Sequence, residues 1–137
     1  MISKINSPGE RLIVRLKFES DLVSPEASCQ VLDLVPTRAW ELGDLRPNSK
    51  MRYKRSGWVL DREFTDRPFD LGTCLEKFIE PFKEKADEFR RLADSSQLQV
   101  SLIIYSATSP SVFFDRELLQ WLVQLGLNLD IDMYMTE

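Results

Sequence analysis

At 137 residues and 16.0 kDa, with 43% hydrophobic and 29% charged residues, the chain has the size and make-up of one ordinary globular domain. A chain this long can remove roughly two-thirds of its unfolded surface from water, so it needs no disulfide or metal staple to fold. Eighteen basic against twenty-two acidic residues leave a net charge of -4, too weak to demand a nucleic-acid or membrane partner.

Residues 1–10 hold one lysine, a Pro-Gly pair and no apolar run, so they read as an N-terminal tail rather than a signal peptide. A single α+β domain is expected over 11–137. Leu12, Val14, Leu16 and Phe18 alternate with Arg15, Lys17 and Glu19, the pattern of a half-buried strand. Ser24, Pro25 and Glu26 then make a helix start, with serine as N-cap and proline in the first turn. That helix is expected to end near Asp33 and to bury Ala27, Val31 and Leu32. Residues 34–50 keep no period and read as an ordered loop. Met51–Lys54 and Trp58–Phe64 flank Arg55-Ser56-Gly57 and predict a β-hairpin.

Leu71, Leu75, Phe78, Ile79, Phe82, Ala86, Phe89 and Ala93 recur at helical spacing. Pro81 lies inside that stripe and predicts a kink or two abutting helices. Leu98, Val100, Leu102 and Ile104 form another alternating strand. After a loop over 106–114, Asp115 caps a helix through Leu118, Leu119, Leu122 and Leu125 that Gly126 closes. In the last strand Leu127, Leu129, Ile131, Met133 and Met135 share one face. Asn128, Asp130, Asp132 and Tyr134 share the other. The order predicts a two-layer α+β sandwich: a mainly antiparallel sheet of about five strands with helices on one face, a ferredoxin-like core extended by one helix and one strand.

The chain contains no histidine. That removes Ser-His-Asp and Cys-His nucleophile pairs and His-containing zinc sites. The glycine patterns of phosphate-binding loops, dinucleotide sites and nucleophile elbows are absent too. The reading leans away from an enzyme, and no cofactor or metal is called for. Cys29 and Cys74 lie among apolar neighbours and read as small buried side chains in a reducing, cytoplasmic setting. No apolar run approaches the length of a membrane span.

Several segments together resemble a known family, domain-of-unknown-function family 4279. They are Ser24-Pro25-Glu26, Leu34-Val35-Pro36-Thr37-Arg38, Trp40, Gly43-Asp44 and Gly57-Trp58. Near the end, Leu118-Leu119, Leu122, Leu125-Gly126-Leu127, Leu129, Asp132 and Tyr134 continue the resemblance. In order and spacing it covers residues 11–135. Asp33 departs from it, since the family tends to carry glycine there, and this leaves the end of the first helix open. The resemblance implies a fold and a bacterial setting, and no activity.

Three surfaces are candidates for function. Between Arg46 and Arg55 lie five basic residues and no acidic one, with Tyr53 among them and Trp58 close by. This suits an anion, a nucleic-acid strand or an acidic protein surface; equally, the charges protect an edge hairpin. Arg38, Trp40 and Asp44 could line a small pocket with Arg52 and Arg55, or Arg38 and Asp44 could pair and pin the loop. Asp130 and Asp132 share a strand face about 7 Å apart. There they serve as an acid pair or as a solvated face cross-paired with Arg15 and Lys17. If that face is open, Tyr105, Ile103 and Tyr134 add apolar area for a partner. The favoured reading is a non-catalytic domain that binds another protein, as a monomer or weak homodimer. The alternatives are a small-molecule or anion site on 36–58, with or without catalytic turnover, and single-stranded nucleic acid, against which the net charge of -4 weighs.

Overall fold

The structure, a computed structural model, describes residues 10–65 and 69–136; nearly all of the expected tail lies outside them. Strand β1 (Arg11–Ser20) is the middle of the molecule. Leu12, Val14, Leu16 and Phe18 are fully buried, while the residues between them are only half-buried. The alternation of the sequence is therefore the alternation of a core face and an opposite face.

Helix α1 (Pro25–Leu32) starts as its residues predict, with Ser24 Oγ accepting from the Ala27 N–H at 3.1 Å. It ends on Asp33, which adopts φ 56° and turns its N–H back to the last carbonyls of the helix. That is the left-handed cap usually given to glycine, so aspartate fills here the position where the family tends to carry glycine. The buried side chains are Pro25, Ser28 and Leu32; the expected burial of Ala27 and Val31 is corrected, because the helix turns those two toward solvent.

The hairpin differs from its prediction. The strand that precedes β3 (Ser56–Phe64) and pairs antiparallel with it is β2 (Arg38–Trp40), inside the segment read as loop, and residues 51–54 form no arm of the sheet. The segment between β2 and β3 folds on itself instead, through Tyr53 N–H to Asp44 O at 2.8 Å and Gly43 N–H to Tyr53 O at 2.9 Å. Residues 51–54 do not alternate: Tyr53 alone is buried, over the sheet rather than in it, and Met51 is exposed.

The long apolar stripe is broken at Pro81, as the missing backbone donor requires. Helix α2 (Leu71–Ile79) gives way to a 3-10 segment (Glu80–Lys85) and then to α3 (Ala86–Ser95). Strand β4 (Gln97–Ser106), helix α4 (Arg116–Gln124) and strand β5 (Asn128–Met135) complete the chain. Asp115 caps α4 by accepting from the Leu118 N–H at 2.8 Å. Gly126, at φ 69°, ends the descent, where a Cβ would stand 2.5 Å from that of Ala93.

The fold is α+β, with four α-helices, one 3-10 segment and a five-stranded sheet in the order β2-β3-β1-β4-β5 among the described residues. β1 pairs antiparallel with β3 and β4, and β2 with β3, but β5 runs parallel to β4. The sheet is thus mixed rather than mainly antiparallel. The reason is α4: a helix between two neighbouring strands carries the chain back to its starting end, so the second strand runs with the first.

Phe18, Trp58, Leu102 and Ile104 from the strands join Leu32, Leu75, Phe78, Phe89, Leu118 and Leu122 from the helices in one core cluster. Trp58 stacks on Phe18 with centroids 5.6 Å apart and donates its indole N–H to Ser28 Oγ at 2.8 Å. Cys29 packs at the edge of that core and Cys74 within it; both are free, and burial pushes both thiols up. No helix among the described residues is long and apolar enough to cross a membrane.

Candidate functional site

The face opposite the core is divided in two. On the β2–β3 side it carries a second small cluster, Trp40, Tyr53 and Val59, all nearly fully buried. Trp40 and Tyr53 stack at 4.4 Å, with the Arg38 guanidinium 4.9 Å over the indole and that of Arg46 4.9 Å over the phenol. Arg38 also donates to the Tyr53 hydroxyl, and the Trp40 indole N–H donates to the Arg55 carbonyl at 2.9 Å. The loop between β2 and β3 therefore lies on this half of the sheet, held by stacked rings.

The residues expected to line a pocket are spent on holding that loop. Asp44 does not pair with Arg38: its carboxylate accepts from the Glu41 N–H at 2.8 Å and closes a turn. Arg52 donates to the Gly43 carbonyl at 2.8 Å, and Arg55 lies 3.5 Å from the Asp21 carboxylate. Arg38 and Trp40 are brought together; Asp44 and Arg52 meet only at the loop turn, and Arg55 faces another element. Trp58 is a core residue, not a surface one, and Tyr53 is covered. Neither ring is free to stack on a base, which is what the nucleic-acid reading needs.

The β4–β5 side is different in kind. Register puts Asp61, Arg15, Ser101 and Asp130 in one row across the face, and Glu63, Ile13, Ile103 and Asp132 in the next. Arg15 is bidentate on Asp61 at 2.7 and 2.9 Å, and Arg11 on Glu63 at 3.2 and 3.0 Å. Lys17 lies 3.7 Å from Glu19. The expected cross-pairing of Asp130 and Asp132 with Arg15 and Lys17 is thus corrected: β4 stands between β1 and β5, and closer acids take the cations. The carboxylate of Glu63 is held below its usual range by Arg11, and Arg15 is raised chiefly by its bond to Asp61.

Among the described residues no cation forms an ion pair with Asp130 or Asp132. Desolvation, and then the charge of Asp130 and a hydrogen bond to it, push the Asp132 carboxyl up. Beside the pair, Tyr105 and Tyr134 stack at 5.0 Å on facing strands. A raised acid binds its proton more tightly in the folded chain. Its stabilising contribution is therefore complete at pH values below the unfolded pKa, and is lost as pH rises through the folded one. Asp132→Asn should accordingly raise the urea midpoint at pH 7, with the gain shrinking as pH falls and gone below about pH 4, near the ordinary carboxylate pKa. An unchanged or lowered midpoint at pH 7 would show the pair to be compensated.

What the sequence reading missed is the other side of β5. Ile131, Met133 and Met135 point toward the helix side, yet they are 39%, 41% and 64% exposed. On that same side α4 leaves Leu119 and Val123 in the open, along a shallow trough that they share with Arg116, Gln120 and Gln124. The alternation of the last strand correctly put the apolar residues on one face; it carried no signal that the helices stop short of it.

Core, covered half-face and bare edge together define a class: a small α+β protein whose distinguishing surface is a charged sheet face ending in an uncovered strand. No group of three or more Cys, Asp or Glu side chains among the described residues is placed to hold a metal ion. The chain belongs to the family described as "Domain of unknown function (DUF4279)", which matches it over residues 10–136. Neither a curated protein nor a solved structure matches it.

Proposed function

We propose that this chain is a non-catalytic protein-interaction domain that receives its partner on the β4–β5 side of the open face, around Tyr105, Tyr134, Asp130 and Asp132. One observation carries the reading. The arginines and the lysine of β1 on that face are neutralised within it, while among the described residues no cation pairs with the two aspartates of β5. An uncompensated pair beside a stacked tyrosine pair is the composition of an interface, with aromatic area to bury and a charge to match. The want of an imidazole in the chain and the raised thiols of Cys29 and Cys74 favour binding over turnover.

The same reading includes the architecture. The first four strands run in the order β2-β3-β1-β4, all antiparallel, with α1 between β1 and β2 and the α2–α3 segment between β3 and β4. We take this as a ferredoxin-like two-layer core to which α4 and β5 are appended. The appended unit then carries the docking surface.

Photo-crosslinking in native cells tests the proposal. A photoreactive residue in place of Tyr134 should give a discrete adduct with another protein, and one in place of the exposed Lys54 should not. No adduct at Tyr134 rejects the reading; an adduct at Lys54 alone moves the interface to the basic loop.

A further inference from the structure

β5 is an edge strand of eight residues. The Thr136 N–H donates to the Ser106 carbonyl at 3.0 Å. In a parallel pair alternate residues turn their N–H and C=O toward the neighbour, so the even-numbered residues of β5 bond to β4. The odd-numbered ones, Leu129, Ile131, Met133 and Met135, turn theirs outward to the open edge. A row of unpaired donors and acceptors of this length is a template for another strand.

The two faces of the edge specify what that strand must carry. On the open face stand Asp130 and Asp132, with no cation paired to them among the described residues. On the helix side stand the exposed Ile131, Met133 and Met135. Residues of an added strand alternate between the same two faces. Its side chains beside the aspartates must be basic, and those beside the methionines apolar.

A second copy of β5 meets this requirement poorly. Antiparallel pairing of the edge with itself, centred on Ile131, sets Asp130 of each copy against Asp132 of the other, and a register centred on either aspartate sets that one against itself; like charges across strands destabilise. The aspartates thus act against self-pairing while they select a partner of opposite sign.

Resting on the interaction role above, we infer that β5 binds its partner by strand addition. The occupant is an extended segment of another protein in which lysine or arginine alternates with apolar residues. Backbone bonds to the odd-numbered residues hold it, and the aspartate row sets its register.

The probe is a cyclised β-hairpin peptide whose free strand alternates lysine and valine, titrated into the 15N-labelled full chain. Saturable binding is expected, with the largest amide shifts at Ile131, Met133 and Met135. A hairpin with glutamate for lysine should bind at least tenfold more weakly. Met133→Pro removes an outward N–H and no bond to β4, a placement proline tolerates on edges, and should weaken binding at least tenfold. If that variant loses its amide dispersion, N-methylation of the peptide's inward amides makes the same cut with the chain unchanged.

Equal binding of the two hairpins, or no binding of either, overturns the inference. So does concentration-dependent self-association that Met133→Pro abolishes, since the edge would then belong to a second copy. If Tyr134 crosslinks in cells and Met133→Pro leaves that adduct intact, docking on the face stands and strand addition falls.

Discussion

Trp58→Ala is expected to remove about 3–5 kcal/mol of folding free energy, the range for deleting a large aromatic from a packed interior. The indole is fully buried, stacks on Phe18 and satisfies itself on Ser28 Oγ. Truncation leaves a cavity between the central strands and α1, and leaves Ser28, itself fully buried, without the donor it accepts from. Against the roughly 5–15 kcal/mol that hold an ordinary domain together, the loss brings the chain close to unfolding at physiological temperature. Urea denaturation measures it. Trp58→Phe should fall between wild type and Trp58→Ala, because it keeps one six-membered ring in the core while losing the indole N–H bond to Ser28 and part of the ring volume. A loss below about 1 kcal/mol for alanine, the scale of a surface substitution, would contradict the packing described.

Gly57→Ala should have the second-largest effect, for the opposite reason. A methyl group there would stand 2.2 Å from the carbonyl oxygen of Phe18 and 2.8 Å from the Trp40 ring. The oxygen belongs to the backbone of the central strand and cannot swing away, so β3 must separate from β1 where Gly57 faces Glu19. Overpacking costs about 1–3 kcal/mol and sometimes more; a contact with backbone belongs at the upper end, about 3 kcal/mol. The ring of Trp40 must move as well, and with it the stack on Tyr53. Hydrogen exchange should therefore report Gly43 and Tyr53, whose amides close the loop, losing protection together. Loss of stability with those two amides still protected would place the strain elsewhere.

Much of this architecture can be read from the residues because each signal is local. The alternation of β1, the Ser24-Pro25 start, the break at Pro81 and the Asp115 cap each need only a few neighbouring side chains. Membership of the family was legible for a related reason: its short motifs keep their order through the chain. What escaped were facts of long range. Arg38–Trp40 is a strand only because β3 is there to pair with it; three residues carry no period of their own. The direction of β5 depends on how far α4 carries the chain, and alternation is blind to direction.

The candidate residues divided along the same line. Asp130 and Asp132 were found on one exposed face because a strand's period is two. Whether Arg15 or Asp61 stands beside them depends on strand order, which no single strand encodes. Trp58 was misplaced for a simple reason: a tryptophan next to a run of basic residues has the same local pattern whether it faces solvent or core. The exposure of Ile131 and Met133 records where the helical layer ends, a property of the assembled molecule.

The position of β1 bears on how the protein is made. It is the first of the five strands to be synthesised, yet its two ladders wait for residues 56–64 and 97–106. A nascent chain must therefore carry this ribbon of leucine, valine and phenylalanine unpaired until residue 64 is made, and open along one edge until residue 106 is made. Distant pairings of this sort slow the search for the native state and lengthen the interval in which a stalled or truncated product can aggregate. The centre of the finished sheet is thus the most vulnerable segment of the growing chain.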